Sequence, residues 1–469
     1  MPCCSVGGGE VETLLQIPGR LIKEFACELS EPLADILNHS LQDGIVPPEW
    51  KSATVVPLPK SKPPSTSEIR PISLTSLLSK VAESFITQWT RKDILPQIDS
   101  QQFGCLPGRS TTHSLLDLTN DLYKSLDSPG NICSLVTTDY SKAFDRVDHS
   151  LAITTMLELG LRPSLARWIA NFLTDRSQCV RYHGSLSDSE KITCGLPQGT
   201  LLGPWIFIAY INGAAKHATT KRWKFVDDLN LLEVRPLNAP STIQQDLADL
   251  ERWSSERKMA LHPKKCKVMH FLTAKSHPPL PKLTINDLEL QNVSTLKILG
   301  IHIQSNLKWS EQVAHLCKKA SQRLFLLRRL KNSAIPPDDL TSIFTIYIRP
   351  TLEYAAPVWH SGLTGVQSKA IERVQRRAVR IILGRDFTTY RDACSRLGLP
   401  LLSSRREDLT RAFATSLRRS DQFRSWLPPE RGEISQRSTR SSRNLDLAPC
   451  NTERYKKSAI PHMIRLLNN

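Results

Sequence analysis

The sequence lacks three features, and each absence excludes a class of protein. Its 11 cysteines form no CxxC motif accompanied by a second pair or by nearby histidines, so a structural zinc site is not expected. No stretch approaches the roughly 18 uninterrupted apolar residues of a membrane-spanning helix. The most apolar segment, at 201–215, is interrupted by Gly203, Pro204 and Asn212. Without a recognisable signal peptide, we expect an intracellular protein with reduced thiols.

Acidic residues are also too few to balance the basic ones. Of 469 residues, 62 are Lys or Arg and 45 are Asp or Glu, which gives a formal net charge of +17. The surplus is +15 within residues 311–469 and only +2 within residues 1–310. This distribution predicts a globular body followed by a basic surface for a polyanion, most often a nucleic acid. The alternative is a solvated helical face whose charge only aids solubility.

What the sequence does contain is a mixture of helix and strand patterns without an internal repeat, which predicts an α+β fold of about two to four domains. Helices are predicted at 20–41, 148–159, 163–173 and 201–212 and over most of 310–383. Strands are predicted at 54–56, 131–139, 178–182 and 223–234. Pro32 could divide the first helix, and Pro57 and Pro59 should end the first strand. The Ser/Arg-rich chain beyond residue 400 predicts loose order.

The segment FVDDLNLLEV, at 225–234, places two adjacent carboxylates inside an apolar run. Such a pair repels itself and loses hydration when it is buried. Two explanations fit. Asp227 and Asp228 could lie in a hairpin turn with both side chains in water, the more common case for an isolated pair. Alternatively, a divalent cation at the tip of a hairpin could neutralise them.

Two further segments carry polar residues at the ends of buried elements. In TTDYSKAFDRVDH, at 137–149, Asp139 ends an apolar strand, the usual location of a catalytic carboxylate in an open sheet. Asp148 is placed to cap the next helix, and Asp145 could merely face solvent. In CGLPQGTLLGP, at 194–204, a glycine-rich turn precedes a buried helix, so its backbone N–H groups and the Gln198 amide could contact a nucleotide or a strand.

In this order, the three segments resemble the palm of a reverse transcriptase, and more closely that of a non-LTR (LINE-type, jockey-like) retrotransposon. The supporting strings are VVPLPK, IRPISLTSLLSKVAE, QFGCLPGRSTTHSL, LHPKKCKVM, LGIHI, RPTLEYAAPVWHSGL, IERVQRRAVRIILG and IPHMIRLLN. The resemblance runs from about residue 17 to the end. It implies a right-hand polymerase with a disordered extension at 1–16, fingers at 17–130, palm at 131–275, primer grip and thumb at 276–335, and a basic helical C-terminal region at 336–469 with a loosely ordered tail.

The resemblance also implies which residues join a primer 3′-hydroxyl to a nucleotide. Two Mg²⁺ ions, for which Mn²⁺ could substitute, would be bridged by Asp139 and Asp227, with Asp228 completing the acidic cluster and the Tyr140 carbonyl adding an oxygen. Lys265 would protonate the leaving pyrophosphate. His262 stands where the family usually has Asn, and Lys264 and Lys267 are competitors for that role.

Nucleotide selection would depend on residues around these acids. Lys60 and Arg70 match cations that contact the triphosphate, although alone they would be taken for an ordinary solvated pair. Gln198 and Gly199 would line the nucleotide site. Phe144 lies five positions after Asp139, where reverse transcriptases place a ring that clashes with a ribose 2′-hydroxyl. The alternative for Phe144 is a core aromatic at the start of a helix.

Nucleic-acid contacts would come from the primer grip and the thumb. Leu299 and Gly300 lie in the LGIHI segment that resembles the primer grip. The candidate backbone contacts are Arg328, Arg329, Arg376, Arg377 and Arg380. Trp309 and Trp359 could stack on bases, although tryptophans are more often core residues.

The expected partners are template RNA, a DNA primer or target, and dNTPs, with no membrane. The chain begins where such elements normally have a Gly-Pro-Asp-rich stretch and shows no endonuclease or RNase H constellation, so we expect an N-terminally truncated element that needs a separate endonuclease or nicked DNA. Its location would be the nucleus during target-primed synthesis and otherwise the cytoplasm. The alternatives are an inactive nucleic-acid-binding remnant and an RNA-dependent RNA polymerase, against which Phe144 argues.

Overall fold

The computed structural model describes residues 17–60, 69–273, 279–435, 442–447 and 449–468. The strands are β1 Ser52–Pro59, β2 Ile69–Leu74, β3 Asn131–Thr138, β4 Arg176–Tyr182, β5 Ser185–Leu186, β6 Glu190–Ile192, β7 Lys221–Phe225, β8 Asp228–Pro236, β9 Lys267–Leu272, β10 Thr284–Ile285, β11 Leu288–Glu289, β12 Gln291–Asn292, β13 Thr295–Ile298 and β14 Ile301–Gln304. The helices are α1 Gly19–Glu24, α2 Ala26–Asp43, α3 Leu77–Ile94, α4 Thr111–Ser125, α5 His149–Glu158, α6 Pro163–Leu173, α7 Gly203–Tyr210, α8 Ile243–Glu256, α9 Ser310–Asn332, α10 Pro337–Ile343, α11 Arg349–Glu353, α12 Ala356–Trp359, α13 Gly365–Leu383, α14 Tyr390–Arg396, α15 Leu402–Arg419, α16 Arg431–Ser435, α17 Glu453–Lys456 and α18 Ala459–Asn468.

A five-stranded sheet in the order β12-β9-β3-β8-β7 takes four of its strands from the region predicted as the palm and its edge strand, β12, from the region predicted as the primer grip and thumb. β3 is antiparallel to both β8 and β9, and Thr138 at its end pairs with Leu229. This register brings the residue after β3, Asp139, beside the first residue of β8, Asp228. The α+β class is confirmed, because helices and strands mix without strict alternation.

A second sheet, in the order β2-β1-β4-β5 with β6 also on β4, joins two strands of the region predicted as the fingers, β1 and β2, to three strands of the region predicted as the palm. The prediction that the first strand is cut by prolines is wrong for Pro57, through which β1 continues, and confirmed for Pro59, where β1 ends. Pairing of β1 with β4 stops at Val55, so among the described strands β2 alone pairs with β1 at the prolines. A strand with one free side tolerates a missing N–H donor.

Both faces of the palm sheet are covered, because β3 alternates its apolar side chains between two cores. Val136 points into a front core with α5, α6, α7 and α8, and α7 is buried on all sides. Cys133 and Leu135 point into a rear core with α4, α9, α13, α15 and α18. The thumb and C-terminal regions therefore share one continuous core with the back of the palm.

Most predicted elements are present, and the exceptions have local causes. The first helix breaks at Phe25 and continues through Pro32, whose exposed position lets water satisfy the carbonyl that its ring frees. Loose order beyond residue 400 is wrong for α15 and α18, whose apolar positions are spaced among arginines. The predicted extension at 1–16 and residues 436–441 of the predicted tail lie outside the described residues. Within the described ranges, no helix has both the length and the apolarity to cross a membrane.

Candidate active site

The adjacent carboxylates lie at the tip of the β7–β8 hairpin. Phe225 pairs with Asp228, so Val226 and Asp227 form a two-residue turn. Val226 has a φ of 60°, a left-handed conformation that β-branched residues rarely adopt. Backbone conformations of this kind cost about 1–3 kcal/mol and are concentrated at functional sites. A hairpin, which is common to the solvated-turn and cation-binding alternatives, is therefore present, and its tip is strained.

Asp139 is brought to the same place by the end of β3. Its carbonyl accepts a hydrogen bond of 2.8 Å from the His262 N–H, which fixes the direction in which the chain leaves the strand. Burial, together with the charge on Asp139, raises the pKa of Asp227, and Lys60 and Arg70 oppose this increase. Burial, Asp227 and Asp139 raise the pKa of Asp228 to about 6. The three carboxylates thus repel one another, and a cation would relieve that repulsion.

Cationic side chains approach these acids from several elements. The Lys265 ammonium lies 3.7 Å from a carboxylate oxygen of Asp139, which favours Lys265 over Lys264 and Lys267. Lys60 and Arg70 are exposed and act on Asp227 through their charge.

A cavity of about 160 Å³ between the palm and β13 is lined by Asp139, Asp228, Lys265 and Lys297. Sequence reasoning missed Lys297. The signal was the alternation of Leu296, Lys297 and Ile298, which places one cation on the open face of an otherwise apolar strand.

The glycine-rich turn joins the palm to the fingers. The Ser73 N–H donates to the Gln198 carbonyl at 2.7 Å, and a side chain at Gly199 would overlap the Ser73 carbonyl. Gln198 Nε2 donates to Asp145 Oδ1 at 3.1 Å, so the expectation that Asp145 merely faces solvent is wrong. Asp148 caps α5 as predicted, because its carboxylate accepts from the Leu151 N–H.

Two aromatic residues after β3 differ in what they expose. The Tyr140 side chain is buried, with its hydroxyl 3.1 Å from Ser254 Oγ, so only its backbone can contact a ligand. The Phe144 ring is half-buried and stacks on Phe207 with centroids 4.4 Å apart. One face of Phe144 therefore packs on the core, and the ring is still partly accessible, which leaves both sequence alternatives standing.

The segment that resembles the primer grip forms the β13–β14 hairpin. Leu299 and Gly300 make its turn with φ values of 43° and 87°, the positive values that tight hairpins favour. The Tyr354 hydroxyl donates to the Leu299 carbonyl at 2.7 Å, and its oxygen lies 3.2 Å from Thr111 Oγ1. The turn is thus tied to the RPTLEYAAPVWH segment.

The candidate thumb arginines are exposed on α9 and α13, two helices that pack on each other. Most of them also have partners within the chain: Arg329 lies over Phe325, Arg376 over Tyr390 and Arg380 over Phe387, while Arg377 donates to Ser321. Arg328 is exposed on the same helix as Arg329. Trp309 and Trp359 are 3% and 0% exposed, so the alternative that they are core residues is confirmed and base stacking is wrong.

A separate group of metal-ligating side chains, His360, Glu407 and His462, lies among α12, α15 and α18. His360 Nε2 is 3.2 Å from Glu407, whereas its Nδ1 faces the Arg406 Nε–H at 3.3 Å. An Nδ1 that accepts from Arg406 leaves the proton on Nε2, where a metal would have to bind. This group is therefore better explained as a hydrogen-bonded network than as a metal centre.

Comparison with protein families adds the deciding observation. The family described as reverse transcriptase (RNA-dependent DNA polymerase) matches residues 58–303, just over half of the chain. The chain belongs to the reverse transcriptase family. The matched range includes β3, the glycine-rich turn, the β7–β8 hairpin and the β13–β14 hairpin. Members of this family use divalent metal ions and act on nucleic acids.

Individual relatives agree with the predicted resemblance to non-LTR retrotransposons, which is confirmed. The chain is 28% identical to the probable RNA-directed DNA polymerase from transposon BS of Drosophila melanogaster, over 77% of this chain and 42% of that protein. It is 24% identical to the RNA-directed DNA polymerase from mobile element jockey of the same species, over 86% and 45%. This reverse transcriptase chain thus spans less than half of the length of these relatives. A telomerase structure from Candida albicans, 10% identical over 74% of this chain and 64% of that one, gives a TM-score of 0.41, too low to add to the assignment.

Proposed function

We propose that this chain is an RNA-directed DNA polymerase that extends a primer 3′-hydroxyl with dNTPs on an RNA template. One observation carries the proposal: Asp139 at the end of β3 and the Asp227–Asp228 hairpin tip are brought together within the family-matched range, where burial and the charge on Asp139 raise the pKa values of Asp227 and Asp228. A structural turn would not need three mutually repelling carboxylates. Polymerisation by metal-assisted phosphoryl transfer does.

The donor set at this tip fits Mg²⁺. Carboxylate and carbonyl oxygens are the ligands that Mg²⁺ prefers. The Cys266 thiol is also near, but it is buried against the backbone of Asp139, with its sulfur 3.4 Å from the Asp139 nitrogen. Asp139 and Asp227 would hold two ions, with Asp228 and the Tyr140 carbonyl beside them; Mn²⁺ could substitute. When bound, such ions activate the attacking hydroxyl and stabilise the departing pyrophosphate.

The remaining residues bind and select the nucleotide. Lys60 and Arg70, on the fingers side of the acids, would neutralise the triphosphate, and Gln198 and Gly199 would form the floor of the site. Lys265, 3.7 Å from Asp139, would release that carboxylate when the metal arrives and donate a proton to the pyrophosphate. The accessible part of the Phe144 ring would exclude a ribose 2′-hydroxyl.

Primer and template would lie along the β13–β14 hairpin and the basic helices. Leu299 and Gly300 would position the primer end, with Arg328, Arg329, Arg376, Arg377 and Arg380 contacting backbone phosphates. We further propose that the chain uses a primer end made by a separate endonuclease or a nick, and that it acts in the nucleus during target-primed synthesis and otherwise in the cytoplasm.

A primer-extension assay on a poly(rA) template, with an oligo(dT) primer, dTTP and Mg²⁺, tests the proposal. We expect extension that requires the divalent ion and stops when it is chelated. The competing function is that of an inactive remnant that binds nucleic acid. A folded chain that retains the primer–template but adds no nucleotide with either Mg²⁺ or Mn²⁺ would establish that competing function instead.

A further inference from the structure

The QFGCLPGRSTTHSL segment contributes no residue to the proposed chemistry, yet its first residue contacts the catalytic turn. Gln102 is 2% exposed. Its Oε1 accepts a hydrogen bond of 3.0 Å from the N–H of Val226 and one of 2.8 Å from the N–H of Gly104. Val226 is the strained residue directly before Asp227, so the Gln102 side chain holds the turn at its most costly position.

Backbone pairing aligns Gln102 with the hairpin. Phe103 donates to the Lys224 carbonyl at 2.8 Å, and the Lys224 N–H donates to the Gln101 carbonyl at 2.9 Å. A methyl group at Gly104 would lie 2.6 Å from the Val226 nitrogen. The loop therefore lies directly against the turn, and glycine is required for the approach.

The loop is itself fixed from the other side. Arg109 donates to the carbonyls of Ser100 and Gln102, at 2.5 Å each, and its guanidinium lies 5.5 Å from the centre of the Phe103 ring. Phe103 also packs near Trp426 of the C-terminal region, with ring centroids 6.3 Å apart. The loop that carries Gln102, whose Oε1 accepts from the Val226 N–H, is therefore fixed both by the hairpin and by Arg109 and Trp426.

We infer that Gln102 is a positioning residue for the metal-binding turn. By accepting from the Val226 N–H, it keeps that residue in the left-handed conformation and so fixes where the Asp227 carboxylate points. This inference rests on the proposed function for the role of Asp227. Gln102 itself would act through Val226 and not through contact with a substrate. Loss of the acceptor should misplace a metal ligand, and misplacement of reacting groups by about 1 Å can cost about 100-fold in rate.

The test replaces Gln102 with Met, which has a similar length and no comparable acceptor. We expect kcat for dTTP incorporation to fall about 10- to 100-fold, while KM for dTTP and Kd for the primer–template change less than about twofold. The Mg²⁺ concentration for half-maximal rate should rise several-fold.

Gln375→Met is the matched control, because Gln375 is 0% exposed and donates to the Pro400 carbonyl at 2.9 Å in the C-terminal region. It should lower Tm without changing kcat or the Mg²⁺ requirement.

A direct Mn²⁺ titration of each folded protein separates this inference from the proposed function. If the parent binds Mn²⁺ but never extends a primer, the proposed polymerase is wrong, whereas weaker Mn²⁺ binding by Gln102→Met still supports the positioning role. If the parent is active and Gln102→Met matches Gln375→Met in kcat and in Mn²⁺ affinity, the positioning role is wrong. If Gln102→Met does not fold, Gly104→Ala is measured in its place, because its added methyl group would collide with the Val226 nitrogen. Failure of both to fold, with Gln375→Met folded, would assign Gln102 to stability alone.

Discussion

Two tight hairpins face the same cavity and have opposite characters. The β7–β8 tip holds Asp227 between two further carboxylates, and the β13–β14 tip holds Leu299 and Gly300 beside Lys297. Each tip has an apolar residue with positive φ, and each is held by a side chain from a distant segment. For the acidic tip, Gln102 accepts from an N–H; for the other, Tyr354 donates to a carbonyl.

The difference shows what each hairpin is built to present. The acidic tip presents side chains whose repulsion opposes folding, so its backbone N–H must be anchored for the charges to stay in place. The β13–β14 tip exposes backbone groups and has no repelling carboxylates. One hydrogen bond, from the Tyr354 hydroxyl to the Leu299 carbonyl, is therefore sufficient to hold it in place. Substitutions in the first should therefore change chemistry more than stability, and substitutions in the second should change binding.

The largest expected effect is that of Asp227→Asn at the acidic tip. It should abolish extension, a loss of about 1,000-fold or more, because a metal ligand is removed. The fold should stay as stable as the parent or become more stable, because the substitution removes repulsion and a buried charge. Primer extension and a melting curve on the same preparation check both parts. Extension at the parental rate would remove Asp227 from the metal site.

Phe144→Val sharpens the comparison by changing nucleotide choice without altering either hairpin. If the ring blocks the 2′-hydroxyl, the preference for dTTP over UTP should fall by about 30- to 150-fold in kcat/KM, equivalent to about 2–3 kcal/mol. If Phe144 is mainly a core residue stacked on Phe207, both substrates should suffer together and stability should fall by about 3–5 kcal/mol. Steady-state kinetics with both nucleotides and a melting curve distinguish the two results.

Tyr354→Phe is the matching test of the β13–β14 tip. Removing the hydroxyl leaves the Leu299 carbonyl without its donor, which should cost about 1 kcal/mol of stability. We expect the Kd for the primer–template to rise about three- to tenfold, while kcat at saturating primer stays near the parental value. Filter binding and single-nucleotide kinetics measure the two quantities. A fall in kcat with unchanged Kd would mean that both hairpins serve the chemical step.

The smallest expected effect is a pH dependence at Asp228. Its pKa is raised to about 6 in the folded protein, above the unfolded value of about 3.9, so the metal-free chain gains stability as pH falls through 6 and loses it as pH rises. Asp228→Asn removes this contribution and should be more stable than the parent at pH 8, by about 1 kcal/mol or less, since the carboxylate keeps partial contact with water, which screens its charge. The difference should shrink toward pH 5. Urea unfolding at three pH values tests this, and a constant difference would contradict it.

The residues that could be predicted are those whose signal is local in the sequence. Asp139 is predictable because it closes an apolar strand, and Asp227 and Asp228 are predictable because two acids interrupt an apolar run. Their order around the glycine-rich turn supplied the family resemblance. The capping role of Asp148 was also readable within a few residues, since it depends on the N–H of Leu151.

The residues that could not be predicted depend on contacts between distant segments. Gln102 and Val226 are hydrogen-bonded although they are 124 positions apart in the sequence, and Tyr354 and Leu299 although they are 55 apart. No local sequence pattern predicts either hydrogen bond. Asp145 appeared solvated because its partner, Gln198, lies 53 positions away. The general preference of tryptophan for protein cores favours burial of Trp309, but no local pattern shows which core buries it, because the rear core depends on helices that follow it.

The rear core also determines which apolar surface of the nascent chain stays uncovered during synthesis. One face of β3 is complete once residue 138 has emerged, but Met463 of α18, which helps to cover that core, follows more than 300 residues later. At about 5–20 residues per second, that face stays incompletely covered for on the order of 20–60 s. A fragment limited to the family-matched range 58–303 would keep α4 but lack α9, α13, α15 and α18, so this face would stay incompletely covered. Such a fragment should aggregate or require a chaperone, even though it contains every proposed metal ligand.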